Sequence, residues 1–180
     1  IERSEVWGTQ LKIEPQSISL ISAHSGKGKS TLLHLLYGLR KDYSGEVLID
    51  GENIQKKNAS DWTLLRKQKI SLLFQELRLF SKLNAQENIE LIPEVNPHGP
   101  SEMEMAKQLG MADFLNQPVQ TLSFGQRQRI ALIRTLCKPF NLLLLDEPFS
   151  HLDQENIDLA SSLINAIARA TPATVLLTSL

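Results

Sequence analysis

The stretch that decides the fold is residues 18–31, which read ISLISAHSGKGKST. It begins with an apolar run typical of a buried strand and ends in a helix whose leucines recur at helical spacing over residues 29–39. Gly26 and Gly28 lie between the two, where glycine allows the backbone to turn its N–H groups inward. The order of strand, glycine-rich loop and helix therefore predicts an anion-binding loop at a helix N-terminus.

This loop carries the residue types of a P-loop, which binds a nucleoside triphosphate. Lys29 can reach the β- and γ-phosphates, and the Ser30 hydroxyl can hold a bridging Mg²⁺. Ala23 stands six residues before Lys29, where glycine is usual, and costs little if its φ is negative. The alternative is a Gly/Ser turn that happens to contain a lysine. We expect a nucleoside triphosphate and Mg²⁺ to bind here. The predicted nucleotide-binding residues of the loop are Ala23, His24, Ser25, Gly26, Lys27, Gly28, Lys29, Ser30 and Thr31, with His24 and Lys27 interpreted as exposed rather than catalytic.

A second motif, residues 141–148, reads NLLLLDEP. Its four leucines predict a fully buried strand, and Asp146 and Glu147 follow at the carboxyl end, where open α/β sheets bind ligands. Asp146 would hold Mg²⁺, and Glu147 would polarise the water that attacks the γ-phosphate. The alternative is that two acids merely cap a strand.

The wider pattern predicts an α/β fold with a mostly parallel central sheet. Short apolar runs alternate with longer helical patterns, which favours a sheet covered on both faces. The runs are residues 18–23, 46–50, 70–74, 142–146 and 174–177. Gly45 and Gly51 flank the second run and predict a small antiparallel part early in the chain.

Residues 78–120 break this alternation. Prolines at positions 93, 97, 100 and 118 surround two short helical candidates, residues 101–109 and 111–115. We interpret the interval as an inserted helical lobe. The prediction is a single domain, residues 1–180, whose core comprises residues 1–77 and 121–180.

Composition limits the class of protein. The chain has 180 residues, 42% hydrophobic and 22% charged, which suits one folded domain. Its net charge of −1 gives no reason to expect nucleic acid as a partner. The single Cys137 cannot form an intramolecular disulfide, which favours a reducing, cytoplasmic location. No apolar stretch reaches the ~18 residues of a membrane helix, and the N-terminus does not resemble a signal peptide, so membrane contact is expected through a partner.

Residues 122–136 read LSFGQRQRIALIRTL, and here the chain resembles the ATP-binding cassette (ABC) ATPases. Their signature is Leu-Ser-Gly-Gly-Gln, followed by a helix rich in Arg and Ala and then by the carboxylate strand. Phe124 replaces the first signature glycine, so how closely the backbone approaches phosphate there is open. The resemblance implies that Ser123, Phe124, Gly125 and Gln126 bind nucleotide; alternatively, the segment is an ordinary helix cap.

The resemblance extends to other positions. Gln75 is similar to the family's Q-loop glutamine, which implies that Gln75 is a ligand of Mg²⁺. The alternative is that Gln75 is an ordinary surface residue. Residues 150–153 resemble the D-loop, which implies that Asp153 helps to register two subunits against each other. The alternative is that Asp153 is the N-cap of a helix over residues 154–169, and both roles can hold together. Trp7 is the candidate for the aromatic side chain that stacks on adenine. The alternative is that Trp7 only packs against neighbouring residues.

By resemblance, the chain is the ATP-hydrolysing subunit of an ABC transporter. The resemblance implies a head-to-tail dimer, with itself or a paired ABC subunit, and an integral membrane subunit docked on residues 78–120 at the cytoplasmic face. Residues 74–89 look most like the lipoprotein-release and cell-division branch. The alternatives are a nucleotide-gated dimerisation module with vestigial hydrolysis and a soluble ABC ATPase without a transport role.

One residue departs from the family pattern. A histidine usually follows the last strand and contacts the γ-phosphate, but Ser179 stands there. We assign Ser179 to the catalytic group with Lys29 and Glu147 and expect slow hydrolysis, because a hydroxyl cannot carry imidazolium charge. His98 and His151 are poor substitutes by position. The absence of an initiator Met and an apolar run that stops at the last residue predict a trimmed cassette.

Overall fold

The computed structural model describes residues 6–92, 94–97 and 99–179, so the predictions for Ile1, His98 and Leu180 fall outside the described residues. The strands are β1 Ile18–Ser22, β2 Leu48–Ile49, β3 Glu52–Asn53, β4 Ile70–Leu73, β5 Leu142–Leu145 and β6 Thr174–Ser179. The helices are α1 Lys29–Leu36, α2 Ala59–Gln68, α3 Ala85–Glu90, α4 Glu102–Gln108, α5 Phe124–Cys137 and α6 Gln154–Ala170. The predicted α/β fold is confirmed.

The central sheet has four parallel strands in the order β1-β6-β5-β4. Ser22 pairs with Ser179, and Leu145 pairs with both Leu73 and Leu177. Because the strands are parallel, their carboxyl ends meet at one edge of the sheet, and the segments after β1, β4 and β5 leave from that edge. This topology positions the glycine-rich loop, Gln75 and the two carboxylates together.

The antiparallel part is a two-stranded hairpin of β2 and β3, separate from the central sheet. Asp50 and Gly51 form its turn with φ of 52° and 77°, the left-handed pair that matches strand twist in a two-residue hairpin. The sequence predicted a strand over residues 46–50, and the structure forms only Leu48–Ile49. The turn begins at Asp50, which shortens the strand.

The side chains of the buried strands alternate between two cores. Along β5, Leu143 and Leu145 face one core and Leu144 faces the other. Leu144 packs with Leu33 of α1 and Trp62 of α2. The other core gathers residues of α3, α4, α5 and α6. Helices thus cover both faces of the sheet, as its continuous apolar strands require.

Two helix predictions need correction. Helix α1 ends at Leu36 instead of continuing to residue 39, because Gly38 adopts φ 74° and closes a Schellman motif: Leu39 N donates to His34 O (2.9 Å) and Gly38 N to Leu35 O (3.0 Å). Residues 111–115 contain only a 3₁₀ turn, Ala112–Phe114. The candidate over residues 101–109 is confirmed as α4.

Helix α3 was missed by the sequence analysis. Asn84 and Glu87 form a capping box at its start, with Glu87 N donating to Asn84 Oδ1 at 2.7 Å and Asn84 N to Glu87 Oε2 at 2.8 Å. This spacing is a helix-start signal that the sequence contained. Both α3 and α4 contact α5. Within the described ranges, no helix is long and apolar enough to cross a membrane.

Candidate nucleotide-binding site

The loop between β1 and α1 has the backbone geometry of an anion-binding nest. Gly26 and Gly28 have φ of 79° and 89°, a left-handed conformation that side chains disfavour. Gly28 precedes α1, whose first turn has neither a side-chain cap nor an acidic residue. Ala23 does not have a positive φ, which removes the cost of alanine there. The N–H groups of the first turn are therefore available to an anion.

Lys29 is the first residue of α1, and its side chain, 5% exposed, points to the carboxyl edge of the sheet. Its Nζ donates to Ala23 O at 2.5 Å and pairs with Glu147 Oε1 at 3.2 Å. The glutamate side chain is 12% exposed. The structure therefore brings together two residues that the sequence assigned to the catalytic group from separate motifs.

Thr178 of β6 joins the two carboxylate residues. Its hydroxyl donates to Asp146 Oδ1 at 2.9 Å and accepts a hydrogen bond from Glu147 N at 3.1 Å. Thr178 is completely buried. Thr178 was not among the predicted site residues; the available signal was a lone hydroxyl inside an apolar strand next to the carboxylate strand.

Oxygen atoms suited to Mg²⁺ occur in this arrangement. Asp146 is 2% exposed, and its Oδ2 has no hydrogen-bond partner among the described residues. A buried carboxylate oxygen without a donor fits a nearby cation or its bound water. Ser30 and Gln75 would add a hydroxyl and an amide oxygen, so the donor set matches the preference of Mg²⁺ for oxygen ligands.

Gln75 follows β4, the neighbour of β5, and lies within reach of Glu147. Its Nε2 donates to Glu147 Oε2 at 3.4 Å. Lys29, Gln75 and Glu147 therefore form one contact group at the edge where β1, β4 and β5 end. Gln75 lies just after the apolar run of β4. It belongs to this group because β4 and β5 are neighbouring parallel strands.

The Ser123–Gln126 segment forms the start of α5. Ser123 N donates to Gln126 Oε1 at 2.8 Å, and Gln126 N donates to Ser123 Oγ at 3.2 Å, so the segment is a capping box. The Phe124 ring packs on His151, with centroids 4.0 Å apart. A Cβ at Gly125 would lie 3.0 Å from His151 O, which explains the glycine. Outside α5, the segment lies against His151 and Leu152, and no hydrogen bond or ring contact among the described residues joins it to the glycine-rich loop.

Asp153 is the N-cap of α6, which confirms the helix-cap interpretation. Its Oδ1 accepts hydrogen bonds from Asn156 N at 2.9 Å and from Asn156 Nδ2 at 2.8 Å. These hydrogen bonds, the backbone one first, lower the pKa of the Asp153 carboxyl. The structure gives Asp153 a local structural role, and a role between subunits stays a prediction.

Trp7 lies against the glycine-rich loop. Its Nε1 donates to Lys27 O at 3.2 Å, and a Cβ at Gly28 would lie 2.8 Å from the same nitrogen. A cavity of about 550 Å³ adjoins the loop, and its walls include Trp7, Leu11, Leu20 and Leu32. This volume is within the range of small-molecule pockets. An aromatic ring and a cavity therefore adjoin the anion-binding nest.

Ser179 lies at the end of β6, beside β1. It pairs in register with Ser22, and Ala23 N donates to Ser179 O at 3.3 Å. Strand β6 covers Thr174–Ser179, so the strand predicted at the end of the sequence is confirmed within the described residues. His151, which is a poor substitute for the missing histidine by its position in the sequence, packs on Phe124. Its Nδ1 lies 2.8 Å from Ser150 Oγ.

A parallel sheet, an anion-binding loop before a helix, and a lysine beside a strand-terminal Asp-Glu pair define a P-loop nucleoside triphosphatase. Residues 7–150 match the family model described as ABC transporter. The chain therefore belongs to the ABC transporter family and is an ATP-binding, ATP-hydrolysing subunit of that family.

Curated relatives include transport ATPases. The chain is 36% identical over 159 residues to the lipoprotein-releasing system ATP-binding protein LolD of Buchnera aphidicola subsp. Schizaphis graminum, covering 86% of this chain and 69% of that protein. It is also 36% identical over 178 residues to the thiamine import ATP-binding protein ThiQ of Vibrio parahaemolyticus, covering 96% and 74%.

Solved structures agree with this assignment. The dimeric structure of MJ0796, a bacterial ABC transporter cassette, matches with a TM-score of 0.83 at 29% identity, covering 94% of this chain and 77% of that one. A dimeric post-hydrolysis structure of the same cassette, bound to ADP and Pi, gives a TM-score of 0.82 at 30% identity over the same fractions. The P-loop fold predicted from the sequence is confirmed.

Proposed function

We propose that two ATP-binding subunits, two copies of this chain or this chain and a paired ABC subunit, close on ATP and drive a membrane transporter subunit. The main support is the separation of two nucleotide-binding segments. Lys29 and Glu147 form one contact group, whereas the described contacts of Ser123–Gln126 are with the His151 loop. A helix N-terminus that does not meet its own P-loop can meet the P-loop of a second subunit. The MJ0796 cassettes are dimers, in agreement with this proposal.

In the proposed reaction, Lys29 and the first-turn N–H groups of α1 bind the phosphates, and Glu147 accepts a proton from the attacking water. Ser30, Gln75 and Asp146 would hold Mg²⁺, which neutralises charge on the phosphates when bound. Ser123 and the N–H groups near Gly125 would bind the γ-phosphate of the other subunit's ATP. In-line attack of water on the γ-phosphorus breaks its bond to the oxygen that bridges the β- and γ-phosphates, and ADP and inorganic phosphate are the products.

The lobe of residues 78–120 is proposed to dock the membrane subunit, at the cytoplasmic face. Phe80 supports this, because the residue is 60% exposed while its backbone is fixed. Buried Asn88 accepts from Phe80 N at 2.8 Å and donates to Phe80 O at 3.0 Å. Leu91 and Val95 are also exposed apolar residues of the lobe. The relatives transport different substrates, so the membrane subunit is proposed to choose the cargo.

Co-purification tests this function. The neighbouring reading frames are first sequenced, and we expect one of them to encode a multi-span membrane protein. Co-expressed with the chain, this protein should purify together with it in detergent. Phe80→Asp should weaken this association, whereas Leu64→Asp, at a 57% exposed leucine of α2, should not. Failure of the unmodified chain to retain any membrane subunit contradicts the transporter proposal; equal retention by both variants contradicts docking at Phe80.

Trp7 is proposed to stack on adenine at the cavity beside the loop. Trp7→Ala should weaken ATP binding by roughly 5–100-fold, because base stacking on an aromatic ring contributes ~1–3 kcal/mol. Trp7→Phe should retain most of the affinity. Titration with a fluorescent ATP analogue measures both. Unchanged affinity in Trp7→Ala would remove the assignment.

Ser179 is proposed to make hydrolysis slow. We expect a turnover below ~1 s⁻¹ for the chain, the lower end of typical enzyme values. Ser179→His should raise kcat by roughly tenfold, because an imidazole can donate to the γ-phosphate and exchange protons near neutral pH. Steady-state phosphate release measures the effect, with Ser179→Ala as the control that removes the hydroxyl. A faster unmodified chain, or no gain in Ser179→His, contradicts the proposal.

A further inference from the structure

Three residues of the active-site loops have a left-handed backbone although none is glycine. Leu77 and Arg78, in the loop after β4, have φ of 59° and 47°, and Glu147, after β5, has φ of 48°. Side chains with a Cβ disfavour this region, and such residues persist where neighbouring groups hold them. The two loops carry Gln75 and Glu147. The groups that hold them therefore affect the geometry of the hydrolytic site.

Arg134 of α5 holds the first loop. Its guanidinium donates to Arg78 O at 2.9 Å through Nη1 and to Leu77 O at 2.7 Å through Nη2. Burial lowers the pKa of this guanidinium, which nevertheless stays protonated at neutral pH. Two charge-assisted hydrogen bonds from a planar group fix both carbonyls at once. A lysine at this position could not reproduce that fork.

Gln128 of the same helix holds the second loop. Its Nε2 donates to Glu147 O at 3.1 Å and to Pro148 O at 2.6 Å. Gln128 is 2% exposed, and its Oε1 has no hydrogen-bond partner in the part of the chain that the structure describes. Because Thr178 accepts from Glu147 N, the glutamate backbone is held on both sides. The amide nitrogen of Gln128 is therefore the group that the loop requires.

Helix α5 itself is fixed to β4. Ser71 Oγ donates to Thr135 O at 2.8 Å, and Lys138, the residue after the helix, donates through Nζ to Ile70 O at 3.1 Å. Gln128 and Arg134 thus project from one rigid element onto two neighbouring loops. These loops meet where Gln75 Nε2 donates to Glu147 Oε2.

We infer that Gln128 and Arg134 are positioning residues that hold the loops of Gln75 and Glu147 in left-handed conformations and so set the rate of ATP hydrolysis. They act through the backbone of residues 77–78 and 147–148, and are not assigned a contact with ATP. Their loss should therefore lower kcat more than it changes KM. The inference rests on the proposed role of Glu147 as the base, whereas the holding of the loops can be measured without hydrolysis.

The first test replaces Arg134 in the full chain. Arg134→Lys should lower kcat by about tenfold and leave KM for MgATP within about twofold, because misplacement of a catalytic group slows the chemical step. Amide hydrogen exchange at Leu77 and Arg78 should become about tenfold faster when the carbonyls lose their donors. The melting temperature is recorded for each variant.

A second substitution separates positioning from general stability. Arg78→Gly removes the penalty of the left-handed conformation, whereas Arg78→Ala removes the same side chain without removing that penalty. In the Arg134→Lys background, Arg78→Gly should return kcat and exchange to within about threefold of the unmodified chain, and Arg78→Ala should not. Equal effects of glycine and alanine overturn the inference.

Gln128 gives an independent test, which also decides the matter if Arg134→Lys does not fold. Gln128→Glu retains the shape but aims carboxylate oxygens at two carbonyls, so kcat should fall and exchange at Ser150, whose N–H bonds to Glu147 O, should accelerate. Unchanged kcat and exchange in Gln128→Glu overturn the inference. Faster exchange with unchanged kcat overturns its kinetic part, whereas the role of Glu147 as the base is tested separately by Glu147→Gln.

Discussion

Replacing Glu147 by glutamine should lower the kcat of ATP hydrolysis by about 10²–10³-fold, because an amide cannot accept the proton of the attacking water. The substitution retains the shape of a side chain that contacts both Lys29 and Gln75. Glutamine also removes the charge that pairs with Lys29, so the lysine becomes more available to phosphate. We therefore expect ATP affinity to be unchanged or higher.

Phosphate release and titration with a fluorescent ATP analogue measure these two effects of Glu147→Gln separately. The ATP-bound variant should also accumulate as a dimer in gel filtration, since the closed state is no longer consumed by hydrolysis. Glu155→Gln, at an exposed carboxylate in the first turn of α6, is the control and should behave like the unmodified chain. A kcat for Glu147→Gln within about tenfold of the unmodified value would require another base.

Local sequence signals predicted the nucleotide loop and the carboxylate strand. The loop is encoded by Gly26 and Gly28, whose left-handed backbone glycine accommodates, and by Lys29 at the helix start. The strand is encoded by four consecutive leucines before Asp146. In both cases the residues that determine the conformation are neighbours in the chain, so a short window contains the information.

The contacts within the site were less predictable. Thr178 meets Asp146 across 32 positions of sequence, and Gln75 meets Glu147 across 72, through strand order that no short motif specifies. Leu77 has a left-handed backbone, and no glycine at this position indicates it in the sequence. Arg134, 57 positions away, donates a hydrogen bond to the Leu77 carbonyl, so the conformation depends on tertiary contacts.

Helix boundaries illustrate the same limit. The apolar spacing of α1 continues to Leu39, but the helix ends because Gly38 adopts φ 74°. Only glycine fits at this position, since a Cβ would lie 2.4 Å from the Trp62 ring. Conversely, α3 has no strong apolar periodicity and forms behind the capping box of Asn84 and Glu87. The end of α1 and the start of α3 therefore depend more on capping residues and close packing than on hydrophobic spacing.

Replacing Lys29 by methionine should weaken ATP binding and slow ATP hydrolysis. The lysine is buried beside Ala23 O and Glu147, where its ammonium group can bridge the loop and the incoming phosphates. Loss of a charge-assisted hydrogen bond of roughly 1.5–3 kcal/mol predicts ~10–100-fold weaker ATP binding. A further ~10²-fold loss in kcat is expected, because the same charge stabilises the transition state more than the ground state.

Methionine preserves the apolar stem of Lys29, so the effect should be specific to its charge. It leaves the Glu147 carboxylate, 12% exposed, without its cation, and a lower melting temperature is expected in the absence of ATP. The double variant Lys29→Met with Glu147→Gln should recover that stability but neither ATP binding nor hydrolysis, which separates the lysine's structural role from its role towards phosphate. Lys56→Met, at an exposed lysine remote in sequence from the loop, is the matched control. If Lys29→Met binds ATP as well as Lys56→Met does, residues 23–31 are not the phosphate-binding loop.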